Sequence, residues 1–195
     1  KHMNMAVVFE PYSIQMINTE LSSQFMTHLS TSVYLALLLA SPYILTELFR
    51  FITPALYDNE RKYSARITCT IFLLFITGVL MSYFVIFPFS IRFLGTYQVS
   101  EDVVNMINLS SYISTFTALT FMMGIVFQIP VISFFLAKMG ILEAEFMARY
   151  RRHALIIIMI LAAIITPPDI FTLVLVTIPM YALYELSILI VKRIN

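Results

Sequence analysis

The chain has 195 residues, of which 60% are hydrophobic and only 12% charged, with a formal net charge of +1. Soluble domains run at about 45–50% apolar and about 25% charged, so the excess calls for a bilayer rather than a large water-facing fold. The balanced charge gives no reason to expect nucleic acid as a partner; the single Cys69 excludes an internal disulfide and a thiolate cluster; and His2, His28 and His153 lack ligand spacing, so no metal or other cofactor is expected.

Residues 1–24 are mixed and polar, with Pro11 among them, and read as an irregular extracytoplasmic loop that holds at most one helical turn. No secretory signal peptide is visible, and the opening Lys1-His2-Met3 has the look of a tag remnant. The rest, 25–195, reads as a single transmembrane helical domain. Its first predicted span is 25–48. Pro42 should kink it by removing a backbone donor, and Ser41 is placed to recover part of the lost bonding. Glu47 and Arg50 mark its end.

The stretch 50–66 is the topological key. It holds Arg50, Arg61, Lys62 and Arg66 with only Asp58 and Glu60 as acids, between two long apolar runs. A short loop rich in Lys and Arg is cytoplasmic by the positive-inside rule. The second predicted span is 67–87, and 88–110 is expected as an outside loop with Arg92, Glu101 and Asp102. Its Asn108-Leu109-Ser110 triplet is formally a glycosylation sequon, read here as a chance match.

The third predicted span, 111–137, carries Gln128 and Pro130 well inside. A second basic loop, 138–153, follows with Lys138, Arg149, Arg151 and Arg152. In it Gly140 is a helix stop and Glu143 a first-turn acid for a short surface helix. The apolar run 154–165 is short, roughly 18 Å as a helix. The turn Thr166-Pro167-Pro168-Asp169 and a second apolar run, 170–191, ending in Lys192-Arg193, complete a helical hairpin with both ends inside. Its short first arm should thin the bilayer. The expected fold class is therefore an all-α, polytopic helical bundle with five spans, N-terminus outside and C-terminus cytoplasmic. An odd number of spans with an exported N-terminus suggests a further span before Lys1. No internal repeat is present, which weighs against an inverted-repeat transporter.

Five stretches, SPYILTELFRFITPALYDNERKY (41–63), YFVIFPFSIRFL (83–94), MGIVFQIPV (123–131), RYRRHALI (149–156) and TPPDIFTLVLVTIPMYALYE (166–185), together resemble TatC, the polytopic core of the twin-arginine protein translocase. The resemblance covers most of the chain after about residue 24, in the family's order and spacing. It implies a six-span fold with both termini cytoplasmic, of which this chain would lack the N-terminal segment and first span, together with an acidic signal-contacting residue there. It also implies a non-enzymatic receptor and scaffold in the bacterial cytoplasmic (inner) membrane. Implied partners are twin-arginine signal peptides of folded cargo and small single-span subunits of the TatA and TatB type; self-association is left open.

The resemblance puts the signal-contacting glutamate at Glu60, with Asp58 and Arg61 beside it. Two adjacent guanidiniums are planar forks suited to carboxylates; the plainer alternative is a solvated acid paired with Arg61 or Lys62. Gln128 lies about 15 Å into the membrane from Lys138. There it either satisfies the Val126 carbonyl freed by Pro130, bonds a neighbouring helix, or forms a polar spot on a concave face for a partner helix. The family often has glutamate at this point, so glutamine removes an ionisable role. Glu185 is read as snorkelling toward the headgroups near Lys192. Asp169 is read as the cap of the final helix, in a turn that the resemblance makes partner-contacting together with Thr172; Leu173 stands where the family has a polar residue. A rival reading is a secondary transporter or channel with a polar path at Gln128 and Glu185; an intramembrane enzyme is disfavoured because no catalytic constellation exists at membrane depth.

Overall fold

The computed structural model describes residues 16–18, 21–52, 61–97 and 106–194, with backbone alone for 50–52 and 61–66. The order of elements is β1 (Met16–Ile17), α1 (Ser23–Ile52), α2 (Arg61–Met81), a π turn (Ser82–Ile86), α3 (Phe87–Thr96), β2 (Ile107–Asn108), α4 (Leu109–Val126), α5 (Ile129–Lys138), α6 (Ala144–Arg149), α7 (Arg151–Ile165) and α8 (Ile170–Lys192). Among the described residues four helical stretches are long and apolar enough to cross a membrane: Ser23–Phe49, Ile67–Thr96, Leu109–Lys138 and Ile170–Lys192. The remaining expected span, fourth in chain order, is α7. It begins at Arg151, three residues earlier than expected, and at 15 residues it stays below that length.

Each proline in the long helices is absorbed differently. α1 runs through Pro42 unbroken. The carbonyl that Pro42 cannot reach belongs to Leu38, and the Ser41 hydroxyl donates to it at 2.8 Å, as the sequence suggested. At Pro88 the chain widens into the π turn, where the Phe87 amide reaches back to the Ser82 carbonyl. One extra residue in the turn spares the helix a break. The expected outside loop 88–110 is thereby corrected: residues 87–96 continue the helix, and Phe93 stacks on Phe171 at 4.5 Å. At Pro130 the helix does break, at Phe127–Gln128, and restarts as α5 with proline in its first turn.

The polar opening stretch is not wholly irregular. Met16–Ile17 pairs in parallel with Ile107–Asn108. Two residues are too few for a strand period to show in sequence. The Asn108 side chain accepts from the Ser110 amide at 2.9 Å and caps α4, which gives the triplet a structural purpose.

α2 and α4 come closest together. A Cβ on Gly78 would stand 2.6 Å from the Met123 carbonyl, and one on Gly124 would stand 2.5 Å from the Phe75 ring. Small residues allow this approach, on which van der Waals packing between apolar helices depends. The main core gathers Ile86, Phe87, Leu119, Met123, Phe127, Ile158, Ala162, Val176 and Met180 from both sides of the bundle. Nearer one end, Phe49, Ile71, Val131 and Phe135 form a second cluster. Ala137, Met147, Ile188 and Val191 form a third. These clusters bring the end of α1, the start of α2, the end of α5, α6 and the end of α8 to a common end of the bundle. That end carries Lys138, Arg149, Arg151, Arg152, Lys192 and Arg193. α5 stops there in a Schellman motif: Gly140 has φ +72°, its amide donates to the Ala137 carbonyl, and the Ile141 amide donates to the Leu136 carbonyl. The predicted helix stop and the short surface helix beyond it are both present.

Candidate functional site

Gln128 sits in the break between α4 and α5 and is 1% exposed. Its Nε2 donates to the Ile71 carbonyl of α2 at 3.1 Å. Of the readings open at sequence level, the bond to a neighbouring helix is the one formed; the Val126 carbonyl is not its partner. The amide oxygen, Oε1, is buried without a partner among the described residues. Gln128 is thus enclosed between helices. A separate apolar cavity of about 210 Å³ lies between α1, α2 and α4, bordered by Tyr34, Tyr83, Phe116 and Thr120. Next to it the Ser82 hydroxyl lies 3.5 Å from that of Thr120.

Glu185 does not simply snorkel. Arg151, the first residue of α7, grips it in a two-point pair: Nε lies 2.9 Å from Oε1, and Nη2 donates to Oε2 at 3.0 Å. Tyr181, one turn earlier on α8, donates its hydroxyl to Oε1 at 3.0 Å. A planar guanidinium on a carboxylate fixes orientation as well as charge. This partnership was missed at sequence level because the two residues are 34 apart. The signal was nonetheless there: Arg151 and Glu185 are equidistant from Pro168 in the turn, so an antiparallel hairpin must set them side by side. Tyr184 donates its hydroxyl to the Met147 carbonyl at 2.9 Å and ties α6 to α8.

At the opposite end, Asp169 caps α8 as expected. Its Oδ1 accepts from the Thr172 amide at 2.6 Å. Its second oxygen and the fully buried Thr172 hydroxyl have no partner among the described residues. Asp58 and Glu60 lie outside the described residues. Arg61 opens α2, and only its backbone is described. Among the described residues the sequence candidates fall in three places: Gln128 lies within the bundle, Asp169 at the start of α8, and Glu185 about two turns before its end. No hydrogen bond among the described residues links Gln128 to Glu185, and no group of three or more metal-ligating side chains occurs among them.

Such a bundle, apolar on its outer faces and sealed within by side-chain bonds to carbonyls, defines a multi-pass helical membrane protein. Residues 2–179 match the family model described as Sec-independent protein translocase protein (TatC). A protein of that name from Blattabacterium sp. subsp. Periplaneta americana (strain BPLAN) is 40% identical over 180 residues, spanning 92% of this chain and 68% of that protein. Another from Carboxydothermus hydrogenoformans is 37% identical over 186 residues, spanning 93% and 75%. A crystal structure of the twin arginine translocase receptor TatC superposes with a TM-score of 0.83 at 31% identity, over 93% of this chain and 79% of that one. The chain belongs to the TatC family, a component of the Sec-independent protein translocase.

Proposed function

We propose that this chain receives twin-arginine signal peptides at the end of the bundle that bears the basic loops, and that this end faces the cytoplasm of a bacterial cell. The observation that carries the reading is the match, over 93% of the chain, to a solved protein described as a twin arginine translocase receptor. Glu60 is the receiving carboxylate, with Asp58 and Arg61 beside it. The packing of the flanking helices supports this: Phe49, near the end of α1, and Ile71, in the middle of α2, share one cluster with Val131 and Phe135, so the two helices are fixed to each other. Rigid elements set a loop's position more closely than a free tether does. Small single-span subunits dock along the α7–α8 hairpin, against exposed apolar side chains such as Ile157, Ile164 and Ile178, and folded cargo is exported from that assembly.

The test is Glu60→Gln, read by signal-peptide crosslinking and by export of a folded reporter. Both should drop sharply. Unchanged crosslinking and export would overturn the assignment of Glu60. The transporter reading finds less support, because Gln128 is bound to α2 and Glu185 to α7 with no described path between them.

A further inference from the structure

The α7–α8 hairpin is uneven, and the way the inequality is resolved creates a site. α7 has 15 residues and α8 has 23. Because Arg151 meets Glu185, α7 covers α8 only up to that level. The last seven residues of α8, about 10 Å of helix, are covered instead by α6: Met147 is buried with Ile188 and Val191, and Tyr184 holds the Met147 carbonyl. The basic start of α7 therefore lies about two helical turns deeper than Lys192 along the direction of α8.

The outer face of this junction is unusual in composition. Phe146, Tyr150 and His153 form a row of rings, with centroids 4.7 Å and 5.4 Å apart. Phe146 is 57% and Tyr150 42% exposed. Arg149 and Arg152 each stand one position before a ring of that row. Both are exposed, and neither has an ion pair with any described residue. Arg151 between them is consumed by Glu185. Of the nearby acids, Glu143 stands at the N-cap of α6 and Glu145 one helical turn before Arg149, without an ion pair to it among the described residues; Lys192 and Arg193 lie at the end of α8.

We propose that this corner binds the headgroup of an anionic phospholipid, with its phosphodiester against Arg149 and Arg152. The headgroup is drawn down to the level of the Arg151–Glu185 pair, and the acyl chains run along the exposed Leu155 and Ile156 of α7. Three considerations favour a lipid over a water-soluble partner. Charged side chains below the headgroup plane of neighbouring spans are costly unless something pairs with them. Guanidiniums match phosphate oxygens with two-point geometry. Amphipathic rings settle at the level where hydrocarbon meets headgroup. The short α7 already asks the bilayer to thin at this point, and a bound headgroup meets that demand.

The test uses the full chain in detergent, with native mass spectrometry of lipid retention. Phosphatidylglycerol is compared with phosphatidylcholine. The wild type should retain the anionic lipid preferentially. Arg149→Gln with Arg152→Gln should weaken retention about fivefold per arginine, about twenty-fivefold together, from the usual attraction of a basic residue for an anionic surface. Phosphatidylcholine retention and the melting temperature should not move. Arg152→Lys, which keeps the charge and loses the fork, should fall between. The matched pair Lys192→Gln with Arg193→Gln should change retention less than about twofold if the site is local. The proposal is overturned if the first double variant retains phosphatidylglycerol like wild type, if the Lys192 and Arg193 variant loses as much, if inorganic phosphate displaces the lipid, or if the first double variant loses crosslinks to single-span subunits while lipid retention is unchanged.

Discussion

The two helical hairpins that reach the basic end, one closing there and the other opening there, are built on opposite terms. α1 and α2 are long, and α2 continues through a π turn into α3. Their packing is apolar, and the chemistry assigned to this hairpin lies in the loop that carries Asp58 and Glu60. α7 and α8 are unequal, and their chemistry lies between the helices: an Arg151–Glu185 pair, a Tyr181 hydroxyl on the same carboxylate, and a surface helix that makes up the missing length. The contrast teaches that a basic flank in a membrane protein is not one kind of feature. In the first hairpin it is read as marking sidedness and framing the proposed receiving acid. In the second it sets the depth at which a short helix starts.

The largest expected effect breaks the first hairpin's side of the comparison. Glu60→Lys replaces an acceptor of charge-assisted hydrogen bonds, each contributing about 1.5–3 kcal/mol, with a like charge, so signal-peptide affinity should fall at least about tenfold in a peptide titration. Next comes the second hairpin. Inserting one apolar turn into 154–165 adds about 5.4 Å and moves Arg151 out of register with Glu185. Export should fall with expression intact, and unimpaired export would show that the short length is incidental. The charge pair itself is partly exposed, so Arg151→Gln should lower stability by only about 1 kcal/mol or less. The swap Arg151→Glu with Glu185→Arg should restore the loss, as read by thermal melting. At the far end, Asp169→Ala removes the cap of α8 and should cost about 1 kcal/mol. Smallest is Gln128→Met, which keeps the buried volume and loses one interhelical hydrogen bond of about 0.6 kcal/mol. A much larger loss would mean that the buried amide organises more than the α2 contact.

Much of this contrast was legible in the sequence. The spans, the Gly140 stop, the short surface helix, the Ser41 rescue and the Asp169 cap all follow from local rules, in which one residue type meets one backbone need. What was not legible depends on partners distant in the chain. The helix past Pro88 survives because a π turn forms, which no period in the residues announces. The Met16–Ile17 pairing needs a second strand some ninety residues away. Gln128 could be placed at depth, but which of several carbonyls it would meet depended on how α2 packs against the break. Glu185 was read alone, and its meaning changed once the hairpin brought Arg151 to it. The loop that carries the functional assignment owes its reading to family likeness, since Glu60 lies outside the described residues.

The most direct test of the receptor assignment is site-specific photo-crosslinking from position 59, which leaves Glu60 intact, with a twin-arginine peptide compared against its twin-lysine counterpart. Adducts that form with the arginine peptide and drop steeply with the lysine one are the predicted result. Equal adducts from both peptides, or adducts that appear only from the Asp169 turn at the other end of the bundle, would contradict it.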